Sequence, residues 1–186
     1  MAEKKPSIHK TLLILMAVFI PPFWLLFTDE GSRVSDTALL WLLGKDEIRI
    51  SLADLESSFS ASEIRAVYSE NDWECGDQAT ALGDSLCIAQ IGTFNGYPSQ
   101  VVTFHFQSDR LSAMKLVYRE QYHEQVLGHL ITTFGQPNNV AEALADGPDA
   151  ASVLQWDSPS GVLVLKKTLD SQDEPALLWL AKSASS

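Results

Sequence analysis

Residues 100–119 read QVVTFHFQSDRLSAMKLVYR, two alternating runs around a polar turn. In the first run Val102, Phe104 and Phe106 fall on one face of a strand, and Val101, Thr103 and His105 fall on the other. Ser108, Asp109 and Arg110 turn the chain back. The second run then puts Met114, Leu116 and Tyr118 on one side, opposite Lys115 and Arg119. This is the pattern of an antiparallel meander with one apolar and one wet face. Residues 120–134 follow with a period near 3.6: Tyr122, Val126, Leu130 and Phe134 recur at i+4, supported by Leu127 and Ile131, so a helix is expected there. Gly135 stands at its C-cap, and Pro137 prevents continuation.

Working back toward the N-terminus, residues 86–94 read as a strand that ends in the turn signal Asn95-Gly96, with Pro98 close behind. Residues 76–85 are polar and read as a loop. Ser60 and Glu63 have the spacing of a capping box and should open a helix with Ile64, Val67 and Tyr68 on one face. Residues 51–54 resemble another helix start, with Leu52, Leu55 and Phe59 as apolar anchors, and residues 48–50 suit a short strand. Beyond Pro137, residues 138–149 form a polar, Ala-rich connector. Three further strands are expected over 152–156, 162–168 and 176–182, with turns at 157–161 and 170–174. Strands come in a group interrupted by one long helix, and the strand-helix alternation of a parallel sheet is absent. The expected class is α+β: a mostly antiparallel sheet with helices packed on one face.

The N-terminus carries a different signal. The run between Thr11 and Phe27, TLLILMAVFIPPFWLLF, has no charge over 17 residues. At about 1.5 Å per residue it covers roughly 25 Å, near the lower limit for a hydrocarbon core. Lys4, Lys5 and Lys10 precede it and Asp29 and Glu30 follow, which predicts an N-terminus inside and the remainder outside. Phe23 and Trp24 suit an interfacial aromatic belt, and Pro21 with Pro22 would be tolerated in lipid as a kink. The rivals are a cleaved signal peptide, for which no small-x-small cleavage site follows Phe27, and a buried core helix, which the paired prolines disfavour. The organisation expected is a cytoplasmic tail (1–10), a transmembrane segment (11–27), a juxtamembrane segment (28–47) with a short apolar helix over 35–43 stopped by Gly44, and an extracytoplasmic domain (48–183). The address is the inner membrane, single-pass, with the C-terminal domain periplasmic or extracellular.

Net charge is −11. The first ten residues hold three lysines against Glu3, so the remainder carries 10 basic against 23 acidic side chains, a net −13. This excludes a nucleic-acid partner, which requires clustered Lys and Arg, and disfavours adsorption to anionic lipid. The chain has two cysteines, Cys75 and Cys87. In an exported domain such a pair is expected to form a disulfide, and without neighbouring histidines it makes a poor metal site.

No catalytic, cofactor-binding or metal residues emerge from the motifs, and no cofactor is expected. His123 and His129 are six apart, so they do not reproduce the i, i+4 pairing of a zinc helix and read as surface side chains. His105 would need a nucleophile and an acid nearby to act as a base. Asp170, Asp173 and Glu174 lack the calcium-loop pattern and read as a solvated turn. Asp72, Glu74 and Asp77 gather around Trp73 and Cys75, but an acid pair for glycoside chemistry needs a groove that the sequence does not display.

The run of Trp73-Glu74-Cys75, Cys87, Phe94-Asn95-Gly96-Tyr97-Pro98, Val102 to Phe106, Arg110-Leu111, Phe134-Gly135-Gln136-Pro137 and Trp156 resembles a diffuse group of uncharacterised envelope proteins of proteobacteria, with one membrane segment and a small exported domain. The order of elements is also similar to small outer-membrane assembly lipoproteins and the secreted β-lactamase-inhibitor protein, although the lipobox cysteine of the former is missing. The resemblance implies a fold and an address and brings no catalytic residues. The function expected is a membrane-anchored binding or assembly module of the cell envelope that acts through a protein partner. The alternative is an inhibitor or immunity-type protein against an exported enzyme, and an envelope hydrolase stands third.

Overall fold

The computed structural model describes residues 8–42, 46–139 and 153–182. Two helices open the chain, α1 (Ile8–Phe27) and α2 (Asp29–Leu42). The domain then runs β1 (Glu47–Ile48), α3 (Ala61–Val67), β2 (Glu74–Thr80), β3 (Gly83–Gln90), β4 (Thr93–Phe94), β5 (Tyr97–Gln107), β6 (Arg110–Tyr118), α4 (His123–Phe134), β7 (Asn138–Asn139), β8 (Val153–Asp157), β9 (Gly161–Lys166) and β10 (Ala176–Ala181). The architecture is α+β with a mostly antiparallel mixed sheet, as the grouping of strands predicts.

The sheet path is β1-β4-β5-β6-β10-β9-β8-β7, and the β2–β3 hairpin joins it through β5. Only the β1–β4 pairing is parallel among the described strands. The quoted hairpin lies at the centre, and its apolar face is the core: Val102, Phe104, Phe106, Met114, Leu116 and Tyr118 are all fully buried. The same face continues through Leu177 and Trp179 to Leu163, Leu165 and Trp156. Ile64 of α3 and Val126 and Leu130 of α4 belong to that cluster.

Local chemistry explains most element ends. Ser60 Oγ accepts from the Glu63 N–H at 3.3 Å while a Glu63 carboxylate oxygen accepts from the Ser60 N–H at 2.8 Å, the reciprocal capping box read from the sequence. The Ser60 N–H and the Ser60 hydroxyl, both donating to the Glu63 carboxylate, hold that carboxyl below its ordinary range. Asn95 (φ 49°) and Gly96 (φ 80°) form the two-residue turn between β4 and β5. Asn95 also clamps the chain to β1's end. Its Oδ1 accepts from the Ile50 N–H at 3.0 Å and its Nδ2 donates to the Ile50 carbonyl at 2.9 Å. Ser108 and Asp109, both at positive φ, make the β5–β6 turn. Gly135 (φ 84°) ends α4 and its N–H donates to Ile131 O at 2.9 Å.

The fold corrects several readings. Residues 76–85 are the β2–β3 hairpin and not a loop, because an edge strand exposed on both faces shows no hydrophobic period. The helix start at 51–54 forms only turns, with Asp54 N–H bonded to Ser51 O, although Leu52 and Leu55 are buried as anchors. Val67 is 63% exposed, so α3 packs through Ile64 and Tyr68. The face expected to be wet is closed at its centre, where Thr103 and His105 are buried. The apolar helix expected over 35–43 begins at Asp29, capped by Thr28, whose Oγ1 accepts from Gly31 N–H at 3.0 Å. Its expected stop at Gly44 and most of the connector over 138–149 lie outside the described residues. The expected disulfide is present between Cys75 and Cys87.

Among the described residues no helix is long and apolar enough to cross a membrane. A helix does cover 11–27, but the apolar run falls short of the roughly 30 Å of a typical hydrocarbon core.

Candidate functional site

The exposed apolar surface is concentrated at one end of the chain. On α1, nearly every described side chain from Leu12 to Phe23 is exposed, among them Leu13, Ile14, Phe19 and Phe23. On α2, Trp41 and Leu42 are 76% and 74% exposed, beside Val34 and Leu39. Among the described residues Val67 is the one large exposed hydrophobic elsewhere. Single exposed hydrophobics are ordinary on a protein surface, whereas a continuous set of this size marks a surface made for lipid or protein contact.

The other stripe of α2 holds the domain. Arg33, Asp36 and Leu40 lie at i, i+3 and i+7, one side of a helix. Arg33 donates from Nη1 to the Gly96 carbonyl at 3.2 Å, and its guanidinium carbon stands 5.3 Å from the centre of the Tyr97 ring. Asp36 Oδ2 accepts from the Tyr122 hydroxyl at 2.5 Å and from Gln121 Nε2 at 3.0 Å. Leu40 is buried. Burial, followed by the hydrogen bond to Asp36, raises the Tyr122 hydroxyl above its ordinary range. Hydropathy and motif patterns single out neither Arg33 nor Asp36. The signal available was their i, i+3 spacing ahead of Leu40.

This clamp predicts a local effect. Tyr122→Phe removes a charge-assisted hydrogen bond worth about 1.5–3 kcal/mol. Amide exchange in α2 is expected to speed up roughly 10- to 100-fold while β5 and β6 keep their protection. Unchanged α2 exchange would show that the pair does not hold the helix.

The titratable groups of the domain are engaged structurally. His123 is buried and not a surface side chain: its Nδ1 lies 2.7 Å from the Tyr118 hydroxyl and its Nε2 is 3.2 Å from the Lys167 carbonyl. Since a carbonyl only accepts, Nε2 carries a proton, and in the neutral ring Nδ1 accepts from Tyr118. Burial raises the Tyr118 hydroxyl far above its ordinary range. His129 is half-buried against Tyr97, ring centres 5.5 Å apart, and burial lowers its pKa. His105 faces Thr80 Oγ1 at 3.4 Å; burial, and then the charge of Lys115, lower it. Among the described residues none of the three is hydrogen-bonded to both a hydroxyl and a carboxylate.

Asp173 accepts from Lys166 Nζ at 2.7 Å and from the Asp170 N–H at 2.9 Å, and these contacts lower its pKa. Glu174 pairs with Lys115. The acidic turn is thus tied to β9 and β6. Among the described residues no group of His, Cys, Asp and Glu is arranged to hold a metal ion.

Cys75 and Cys87 bridge directly opposed positions of the β2–β3 hairpin, with Cα atoms 4.0 Å apart. Every residue of β2 is exposed, and among the described residues β2 pairs on one side only. The resemblance to envelope proteins rests on the quoted motifs alone, for in comparison with known proteins the chain matches no family model, no curated protein and no solved structure.

Proposed function

We propose that this protein is a membrane-held binding or assembly module of the cell envelope. In this reading α1 is embedded in the inner membrane with the N-terminus inside, and the disulfide-bonded domain acts outside on a protein partner. The observation that carries it is the concentration of exposed large hydrophobics on α1 and α2, with Val67 the one exception among the described residues, while the domain's other large apolar residues pack into or against one core. The basic residues before α1 and the acids after it set the orientation. The disulfide supports an oxidising compartment. As a whole α1 has 20 residues, about 30 Å, so embedding it places Lys10 near one boundary of the hydrocarbon core.

The expected result is that the full-length protein stays in the membrane pellet after alkaline carbonate washing. Protease added to the outside should digest the domain in spheroplasts. Release by carbonate would overturn the embedded helix, and protection of the domain in intact spheroplasts would overturn the orientation.

One observation favours the second reading, an inhibitor or immunity-type protein. Between residues 66 and 109 the sequence contains no Lys or Arg, while Glu70, Asp72, Glu74, Asp77, Asp84 and Asp109 all fall there. A basic exported enzyme as the captured partner would favour that reading over assembly.

A further inference from the structure

We propose that the free edge of β2 takes an extended, basic segment of a partner polypeptide as an added strand. The proposal rests on the reading of the domain as a binding module and supplies its docking surface.

The backbone geometry identifies the groups that would pair. Ile91 N–H donates to Gln100 O at 2.9 Å, which makes residues 91 and 100 a hydrogen-bonded pair across β3 and β5. In an antiparallel ladder such pairs recur every second residue. Along this register Ala89 with Val102 and Cys87 with Phe104 are therefore hydrogen-bonded pairs. The N–H and C=O of Cys87 are thus used on β5. Cys75, directly opposite Cys87 on the other side, is in a non-hydrogen-bonded pair, as its 4.0 Å Cα separation also requires. Its own N–H and C=O point away from β3, and those of Asp77, two residues on, do the same. No strand lies beyond β2 among the described residues. An incoming strand would meet four outward backbone groups on Cys75 and Asp77, held in place by a disulfide.

The side chains choose the occupant. The side-chain carboxylates of Asp72, Glu74 and Asp77 make no hydrogen bond or ion pair among the described residues, in contrast to that of Asp84, which accepts from Gln107 Nε2 and Ser108 N–H. Asp77 and Asp109 line one open cleft of about 440 Å³ beside the disulfide. Just before the strand Asn71 is 7% exposed, yet its Nδ2 has no partner among the described residues, and it lines the neighbouring cleft with Asp72 and Trp73. A buried amide left unpaired costs free energy that a carbonyl from an incoming chain would recover. Carboxylates along the edge repel a second copy of the same strand and attract Lys and Arg. Strand addition draws affinity from main-chain bonds and specificity from alternate side chains, which is what this edge presents.

The test uses the full-length protein in zwitterionic lipid nanodiscs and two fluorescent peptides of about ten residues, one alternating Thr with Lys and the other Thr with Glu. The Lys peptide is expected to bind, to weaken as NaCl rises from about 50 to about 500 mM, and to slow amide exchange at Cys75 and Asp77. Asp77→Asn removes a charge and should weaken binding several-fold. Asp77→Pro also removes an outward N–H, at a position where an edge strand tolerates proline, and should weaken binding a further tenfold or so. No capture of the Lys peptide overturns the proposal. So does equal capture of the Glu peptide, equal binding by the Asn and Pro variants, or unchanged exchange at Cys75 and Asp77. A dimer that Asp77→Pro dissociates would put a second copy on the edge instead. The carbonate wash is read on the same protein: membrane retention without peptide capture removes the edge alone, and capture without retention removes the tether alone.

Discussion

Trp179→Ala is expected to destabilise the domain by about 3–5 kcal/mol, measured as the shift of a urea transition followed by circular dichroism. The indole is fully buried in the middle of the sheet, with Met114 and Leu163 as its cross-strand neighbours, themselves fully buried. Truncation would leave a cavity walled by two ladders that cannot collapse without breaking register. The ring also sets a limit on its surroundings. A Cβ built on Gly161 falls inside contact distance of Trp179 Nε1 and Cε2 and of the Leu180 carbonyl, so position 161 has no room for a side chain. The indole N–H has no hydrogen-bond partner among the described residues. Trp179→Phe should therefore cost less, about 1–2 kcal/mol, because losing an unpaired buried donor offsets part of the cavity term. An Ala variant within about 1 kcal/mol of the parent would contradict this packing.

These particulars separate what could be read in the sequence from what could not. The centre of the sheet was legible because its residues obey one period on one face: Val102, Phe104 and Phe106, then Met114, Leu116 and Tyr118. Caps and turns were legible because each is a local bond, as in Ser60 with Glu63 or Asn95 with Gly96. The β2 strand was not, since neither of its faces is buried and its pairing is fixed by Cys87 and the ladder to β3. The beginning of α2 was hidden for a related reason. Its first turns are polar, and Arg33 there bonds to the domain, so a hydropathy pattern starts the helix only at residue 35. His105 and His123 read as surface groups, yet each finds a partner that burial requires, in Thr80 for one and Tyr118 with the Lys167 carbonyl for the other. The candidate site follows the same rule. The apolar run of α1 is plain in the sequence, whereas the clamp and the open edge depend on contacts between residues far apart in the chain.

The β2 edge also carries the second large expected effect. Cys75→Ser should lower stability by about 3 kcal/mol, the chain-entropy value for a loop of this length, given the 12-residue separation of the cysteines. Two features decide where the loss appears. No residue of β2 is buried, so no apolar burial of its own holds the strand, and what remains without the bond is the ladder to β3. Trp73, next to the strand, leans on Phe104 with ring centres 5.5 Å apart and donates from Nε1 to the Tyr68 carbonyl at 2.8 Å, so the chain stays tethered at that end. The expected pattern is therefore fast amide exchange throughout β2 and at the β2-facing groups of β3, with β5, β6 and β10 protected until global unfolding. Reductant added to the parent protein should reproduce the variant's urea midpoint. Equal midpoints with and without reductant would mean that the disulfide contributes nothing. A variant that loses stability while its β2 amides stay protected would place the bond's effect in the unfolded chain and leave the edge rigid without it.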